Sequence, residues 1–143
     1  MVDVGEEIRN LAATHQEFQR QAEALRQEMN IVQASISSCD QTVITINELK
    51  AASSEGKTVE TMVPVGFGPF VHAEIKDAER VVVDLGAGIS AEKTAEGAIE
   101  TLTRRKQQLT KILEQMNASL TKLIQGMQAL EAEATKIQQA GQV

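Results

Sequence analysis

Few residues of this chain have the types and spacing that chemistry needs. The most suggestive run is Gly86-Ala87-Gly88-Ile89-Ser90-Ala91, which fits G-x-G-x-x-G/A, follows a valine-rich stretch and precedes a helical pattern. That fingerprint binds a dinucleotide only inside a βαβ unit, with a second strand about 30 residues on and an acid at its end. Helical periodicity instead continues to the end of the chain, so a tight hairpin turn is expected and no nucleotide. Cys39, the single cysteine, cannot form an internal disulfide and has no histidine or basic group placed to activate it. It falls on an apolar stripe and reads as a small core residue. His15 falls on the same stripe and reads as a polar layer; His72 stands alone on a strand and reads as an exposed-face residue. Asp77, Glu79 and Asp84 cluster near a turn and read as a solvated linker rather than a cation site. No nucleophile–base pair, metal-spaced cluster or phosphate loop remains. The expectation is no enzyme, no catalytic residue, no cofactor and no metal.

The elements around these residues explain why chemistry is absent. The chain has 143 residues with three Phe and no Tyr or Trp, yet 42% are hydrophobic. Thin interfaces suit such a composition better than a deep core. With 20 acidic against 14 basic residues the net charge is −6, which argues against nucleic acid or an anionic membrane as partner. No run approaches the ~18 apolar residues of a membrane span, and MVDVGEEIRN lacks a signal-like apolar region. A cytoplasmic protein is the expectation.

Two long helical arms flank a short β-rich centre. In the first, residues 5–52, Ile8, Leu11, His15, Phe18, Ala22, Leu25, Met29, Val32, Ile36, Cys39, Val43, Ile46 and Lys50 recur at alternating spacings of three and four. In the second, residues 93–139, the same spacing links Ala95, Ile99, Leu102, Lys106, Leu109, Leu113, Met116, Leu120, Leu123, Met127, Leu130, Ala134 and Ile137. A sustained 3.5-residue repeat signals a coiled coil. Folding the chain back at its centre sets Lys50 against Ala95, Cys39 against Lys106 and Ile8 against Ile137, as an antiparallel seam about 70 Å long. A slip by one heptad aligns the same stripes. Ser90 and Thr94 are the candidate caps for the second arm.

The centre, residues 58–92, holds both prolines and four short candidate strands: Thr58–Val65, Pro69–Lys76, Arg80–Leu85 and Gly88–Glu92. Val-Gly-Phe-Gly-Pro and Gly-Ala-Gly are the turns of two consecutive hairpins. Two isolated hairpins are marginal, and their edges are unpaired. Each arm spends its stripe in the seam, so neither is expected to cover the sheets. Pairing with other subunits, ideally by closing a barrel, is the simplest remedy. The assembly residues expected on this basis are Val63, Val65, Phe70, Val71, Ile75, Val81, Val83, Leu85 and Ile89. At the far end of the seam, Val2, Val4, Ile8 and Leu11 meet Leu130, Ala134 and Ile137, where fraying helix ends would expose apolar side chains.

The stretch TMVPVGFGPFVHAEIKDAERVVVDLGAGISAEKTAEGAIETL, between two long helices, resembles the alpha class of prefoldin subunits. Its Val-Pro-Val-Gly-x-Gly turn, Ala-Glu-Ile-Lys-Asp strand end and Val-Asp-Leu-Gly-Ala-Gly carry the likeness. The fold class that follows is mainly α with a small β unit: a long antiparallel two-helix coiled coil joined by two β-hairpins that assemble with other subunits into a β-barrel platform. The resemblance implies a single subunit spanning 1–143, in a hexamer of two alpha and four prefoldin beta subunits. It implies an ATP-independent holdase that captures non-native polypeptides at the tips and delivers them to a group II chaperonin, without nucleotide. The tip residues Val2, Val4, Ile8, Leu11, Leu130, Ala134 and Ile137 carry over as a region. The competing reading is a structural spacer or adaptor binding one folded partner.

Overall fold

A computed structural model describes residues 3–141. Helix α1 runs Val4–Ala52 and helix α2 runs Ala95–Ala140, with four strands between: β1 Val59–Pro64, β2 Phe70–Ile75, β3 Arg80–Gly86 and β4 Ile89–Thr94. No helix among the described residues is long and apolar enough to cross a membrane.

Helix α1 has no interior proline or glycine beyond its first turn, and its end charges suit its dipole. Glu6 and Glu7 lie in the first turn and Lys50 in the last. It ends where Glu55 (φ 64°) and Gly56 (φ 74°) turn left-handed. Helix α2 starts later than the sequence pattern indicates, because β4 holds the chain as far as Thr94. There the Thr94 hydroxyl accepts a 3.0 Å hydrogen bond from the Gly97 amide, so Thr94 is the cap and Ser90 lies within β4.

The chain divides into two compact units, one holding the stretch up to Ala34 with the stretch from Leu109, the other Ser35–Gln108. Within each, α1 and α2 meet antiparallel along the expected stripes. Every stripe position of both helices is buried or half-buried, and Ala22, Ile36, Cys39, Ile46, Ala95 and Leu102 are buried outright. Three cross-helix pairs locate the register. His15 Nε2 donates to Glu131 at 2.9 Å in the first unit. Lys106 reaches Asp40 at 2.7 Å and Lys50 reaches Glu96 at 3.6 Å in the second. All three fit the alignment that sets Lys50 against Ala95, and none survives a heptad slip. The Lys106 ammonium, set against Cys39 in that alignment, is held by the neighbouring Asp40.

The strands form two separate antiparallel hairpins, β1–β2 and β3–β4. Val59 stands opposite Ile75 and Pro64 opposite Phe70 in the first; Arg80 stands opposite Thr94 in the second, with an irregularity between Asp84 and Gly86. Neither hairpin closes a barrel by itself. Gly86-Ala87-Gly88 is the β3–β4 turn, all three residues at positive φ. The Asp84 carboxylate accepts from the Gly86 amide at 2.8 Å. An antiparallel strand, not a helix, follows these glycines, so the geometry is not that of a dinucleotide loop.

The expectation that neither helix covers a hairpin is corrected for the second one. Arg105 of α2 donates to the Asp84 carbonyl at 3.2 Å, and the Ala95 amide donates to Glu79 O at 2.9 Å. Ala98, off the seam but on the Arg105 side of α2, is 0% exposed, and Val83 is only 8% exposed. Small side chains on this second face let the β3–β4 hairpin lie close to the helix. The first hairpin has no such cover over its outer half.

Candidate functional site

Two surfaces gather most of the apolar side chains that the chain leaves uncovered, while Ile31, Ile44 and Ile112 are exposed elsewhere on the helices. The first lies where the ends of α1 and α2 meet. Ile8, Leu11, Leu130 and Ala134 are half-buried there and line one open groove of about 390 Å³. Ile137 is half-buried beside it and Val4 is exposed. Val2 lies outside the described residues. The groove also takes in Ala12, His15, Gln16, Gln19 and Glu131. His15 lies on the stripe; the other four flank it, and only the cross-helix geometry reveals them. Glu131 is fixed on the rim by His15, while the floor stays apolar and nearly uncharged. Such a surface suits hydrophobic side chains of any sequence. A second open groove, floored by Met29 and Leu113 and edged by Asn30, Gln33 and Asn117, repeats this chemistry along the same pair of helices.

The second surface is on the hairpins. Val63, Val65, Phe70, Val71, Leu85 and Ile89 are exposed. Ile75 and Val81 are half-covered near the hairpin roots, and Val83 is spent inside the chain. Three exposed apolar residues were not anticipated: Met62, Val82 at 70% and Phe67, which stands fully in solvent at the first turn. Met62 and Val82 sit on strand faces that alternation marks as polar, and Phe67 sits between glycines in a turn. Exposed apolar residues and open strand edges together make these hairpins incomplete on their own.

The side chains that suggested chemistry are arranged for structure. Cys39 is buried and unpaired. The Asp77 carboxylate accepts from the Glu79 amide at 3.0 Å and from Arg80 Nε at 2.7 Å. Arg80 also faces Glu92 at 3.4 Å. The Arg80 hydrogen bond, and then the Glu79 amide, hold the Asp77 carboxyl below its ordinary range. Among the described residues no group of His, Cys, Asp or Glu is arranged to hold a metal ion.

The prefoldin subunit family model matches residues 18–140, across both helices and both hairpins. The chain belongs to the prefoldin family. It is similar to prefoldin subunit alpha of Methanosarcina barkeri, with 75% identity covering 99% of each chain. Prefoldin subunit alpha of Methanosarcina mazei is also 75% identical, over 96% of this chain and 97% of its own. A filamentous prefoldin from Methanocaldococcus jannaschii, solved by cryo-electron microscopy, superposes with a TM-score of 0.70 at 31% identity, covering 83% of this chain and 96% of that one. The alpha-subunit relatives agree with the alpha class that the sequence resembles. A prefoldin chain of this class is a chaperone subunit that assembles with other prefoldin subunits.

Proposed function

We propose that this chain is a subunit of an ATP-independent holdase, capturing non-native polypeptides in the groove between its helix ends and passing them to a group II chaperonin. The observation that carries this reading is the apolar floor of Ile8, Leu11, Leu130 and Ala134, held open between two helix ends. Each such contact is weak, and retention comes from several arms gripping one client at once. The assembly that provides those arms is a hexamer of two alpha and four beta subunits in the cytoplasm, its hairpins joined in a double β-barrel platform. The hairpins' open edges and their exposed Val63, Phe70, Val71 and Ile89 support that role. Under this reading the chain works as one subunit, with residues 58–92 for assembly and the helices for reach. Release needs no hydrolysis, because a chaperonin competes for the client.

Removing about ten residues from each end tests the reading. The trimmed chain is expected to assemble with beta subunits, measured by native mass, yet fail to suppress aggregation of a diluted denatured client. Equal protection by the trimmed complex would overturn it, and so would saturable binding of one folded protein without general anti-aggregation activity.

A further inference from the structure

The two grooves on the helix pair are built to one pattern. Gln16 and Gln19 of α1 edge the outer groove, and Asn30 and Gln33 edge the inner one two heptads further along the same flank. Each groove takes one glutamate from α2, Glu131 in the outer and Glu114 in the inner, and neither is lined by a lysine or arginine. All six of these polar residues are exposed, and both grooves lie within one compact unit. His15 holds Glu131 through one carboxylate oxygen, and the glutamate side chain stays 63% exposed. None of the ion pairs among the described residues involves Glu114. Between the grooves the flank carries the half-buried Ile124 and the Glu23–Arg26 pair at 3.9 Å.

An apolar floor takes hydrophobic side chains of any sequence, but such a rim discriminates. From the repeated rim we infer that the two grooves together take one extended, non-native segment whose apolar residues are flanked by lysine or arginine. The inference rests on the capture reading above and adds the charge and spacing of the segment captured. Each side-chain amide offers both donors and an acceptor. That suits a backbone whose own N–H and C=O groups are unpaired, as in a non-native chain, whereas folded proteins pair most of theirs internally. Each carboxylate is offset by a cation beside the apolar residue, and an acidic segment is repelled. The amide pairs, Gln16 with Gln19 and Asn30 with Gln33, are about 21 Å apart along α1. An extended chain covers that distance in about seven residues. The open strand edges of a second copy are the folded alternative, which the test separates.

The test uses the full chain assembled with beta subunits and three labelled, unstructured peptides, read by fluorescence anisotropy. Each peptide carries two leucine pairs about seven residues apart, flanked by lysine, glutamine or glutamate. The parent is expected to bind the lysine peptide about fivefold more tightly than the glutamine one at low salt. The glutamate peptide should bind most weakly, and the differences should shrink at high salt. Glu114→Gln with Glu131→Gln should bring the lysine peptide down to the affinity of the glutamine one and leave the latter unchanged, which lost folding would not do. Drawing the leucine pairs together, so that one peptide reaches only one groove at a time, should weaken the lysine peptide about tenfold. The inference is overturned if the parent binds all three peptides equally, if the lysine preference survives in the Gln variant, or if the spacing has no effect. It is also overturned if a folded basic protein, or a second copy of this chain, displaces the lysine peptide as well as unlabelled peptide does. Absence of any peptide binding by the parent would overturn the capture reading itself.

Discussion

Phe18 of α1 lies over Gly126 of α2 so closely that a Cβ built on the glycine would stand 2.8 Å from the Phe18 ring. One of the three phenylalanines in the chain is thereby accommodated in a seam built mainly of aliphatic residues. The glycine is costly to helix α2 by itself, by up to about 1 kcal/mol against alanine. Its retention is explained by the ring it admits.

Gly126→Ala therefore sets two effects against each other. Helix propensity favours the alanine by about 1 kcal/mol, while overpacking of this kind costs about 1–3 kcal/mol. A net loss of roughly 1 kcal/mol is expected from urea unfolding. Combining it with Phe18→Leu should return most of that loss. An increase in stability from Gly126→Ala alone would show that the ring moves aside freely.

The register of the seam rests on polar residues rather than on its stripe. The apolar positions repeat and accept any heptad slip. Shifting by seven residues moves Lys106 from Asp40 to Gln33 or Asn47, and His15 from Glu131 to Ile124 or Gln138. Moved to Thr103, Lys50 loses Glu96 as well. Each exposed pair contributes at most about 1 kcal/mol, but a slip loses all three at once and leaves cations on the seam. Replacing His15, Lys50 and Lys106 together by leucine is expected to keep or raise the melting temperature while losing the single register. In a Cys39→Ser background, cysteines at Leu25 and Leu120 should cross-link in the parent. In the leucine variant, cysteines at Leu25 and Leu113 should cross-link too. Exclusive retention of the first product would show that the stripe sets the register unaided.

The long helices were legible because a 3.5-residue repeat is redundant, and one misread position does not break it. The four strands were legible from turn residues, to within a residue or two at most ends. The second face of α2 was not. Ala98 and Arg105 carry no apolar periodicity, and only the hydrogen bond from Arg105 to β3 and the burial of Ala98 give this face meaning. The exposed faces of Met62 and Val82 were missed for a related reason. Alternation marks one side of a strand as buried, whereas these hairpins leave apolar residues open on both sides. The groove at the helix ends was half-read: its floor lies on the stripe, while Gln16, Gln19 and Glu131 flank it and enter only through the pairing of the helices.

Acid should weaken the chain through its exposed carboxylate clusters. Hydrogen bonds from Arg20, and then Gln21, bring the Glu17 carboxyl down from the ordinary 4.5 to about 2. Asp77 is lowered by Arg80 in the same sense. A carboxyl depressed in the folded state stabilises above its unfolded value, and that contribution is lost as pH falls through the folded one. The melting temperature is thus expected to decline from about pH 4.5 down to about 2. Because both groups are exposed, the effect is small and screened by salt. Glu17→Gln should show a shallower decline over that window and no difference from the parent in its slope above it. An identical acid profile in the variant would remove Glu17 from the account.

Residues of one stripe should separate into structural and client-binding sets according to their burial. Ile36 is 7% exposed, whereas Ile8 and Leu130 are half-buried beside an open groove. Ile36→Ala leaves a cavity and is expected to cost about 2 kcal/mol or more. Ile8→Ser with Leu130→Ser lies where helix ends already open at low free-energy cost, so its effect on unfolding is expected to stay below about 1 kcal/mol. Client protection should show the reverse order. In light-scattering assays of a denatured client with the assembled complex, the serine pair should lose most protection while Ile36→Ala, held below its melting temperature, keeps it. Stability and capture can diverge in this way only if the groove's apolar floor is used by a client rather than by the fold. If protection instead follows melting temperature across both variants, the helix ends matter for rigidity alone, and capture must be sought on another surface, beginning with the groove at Met29 and Leu113.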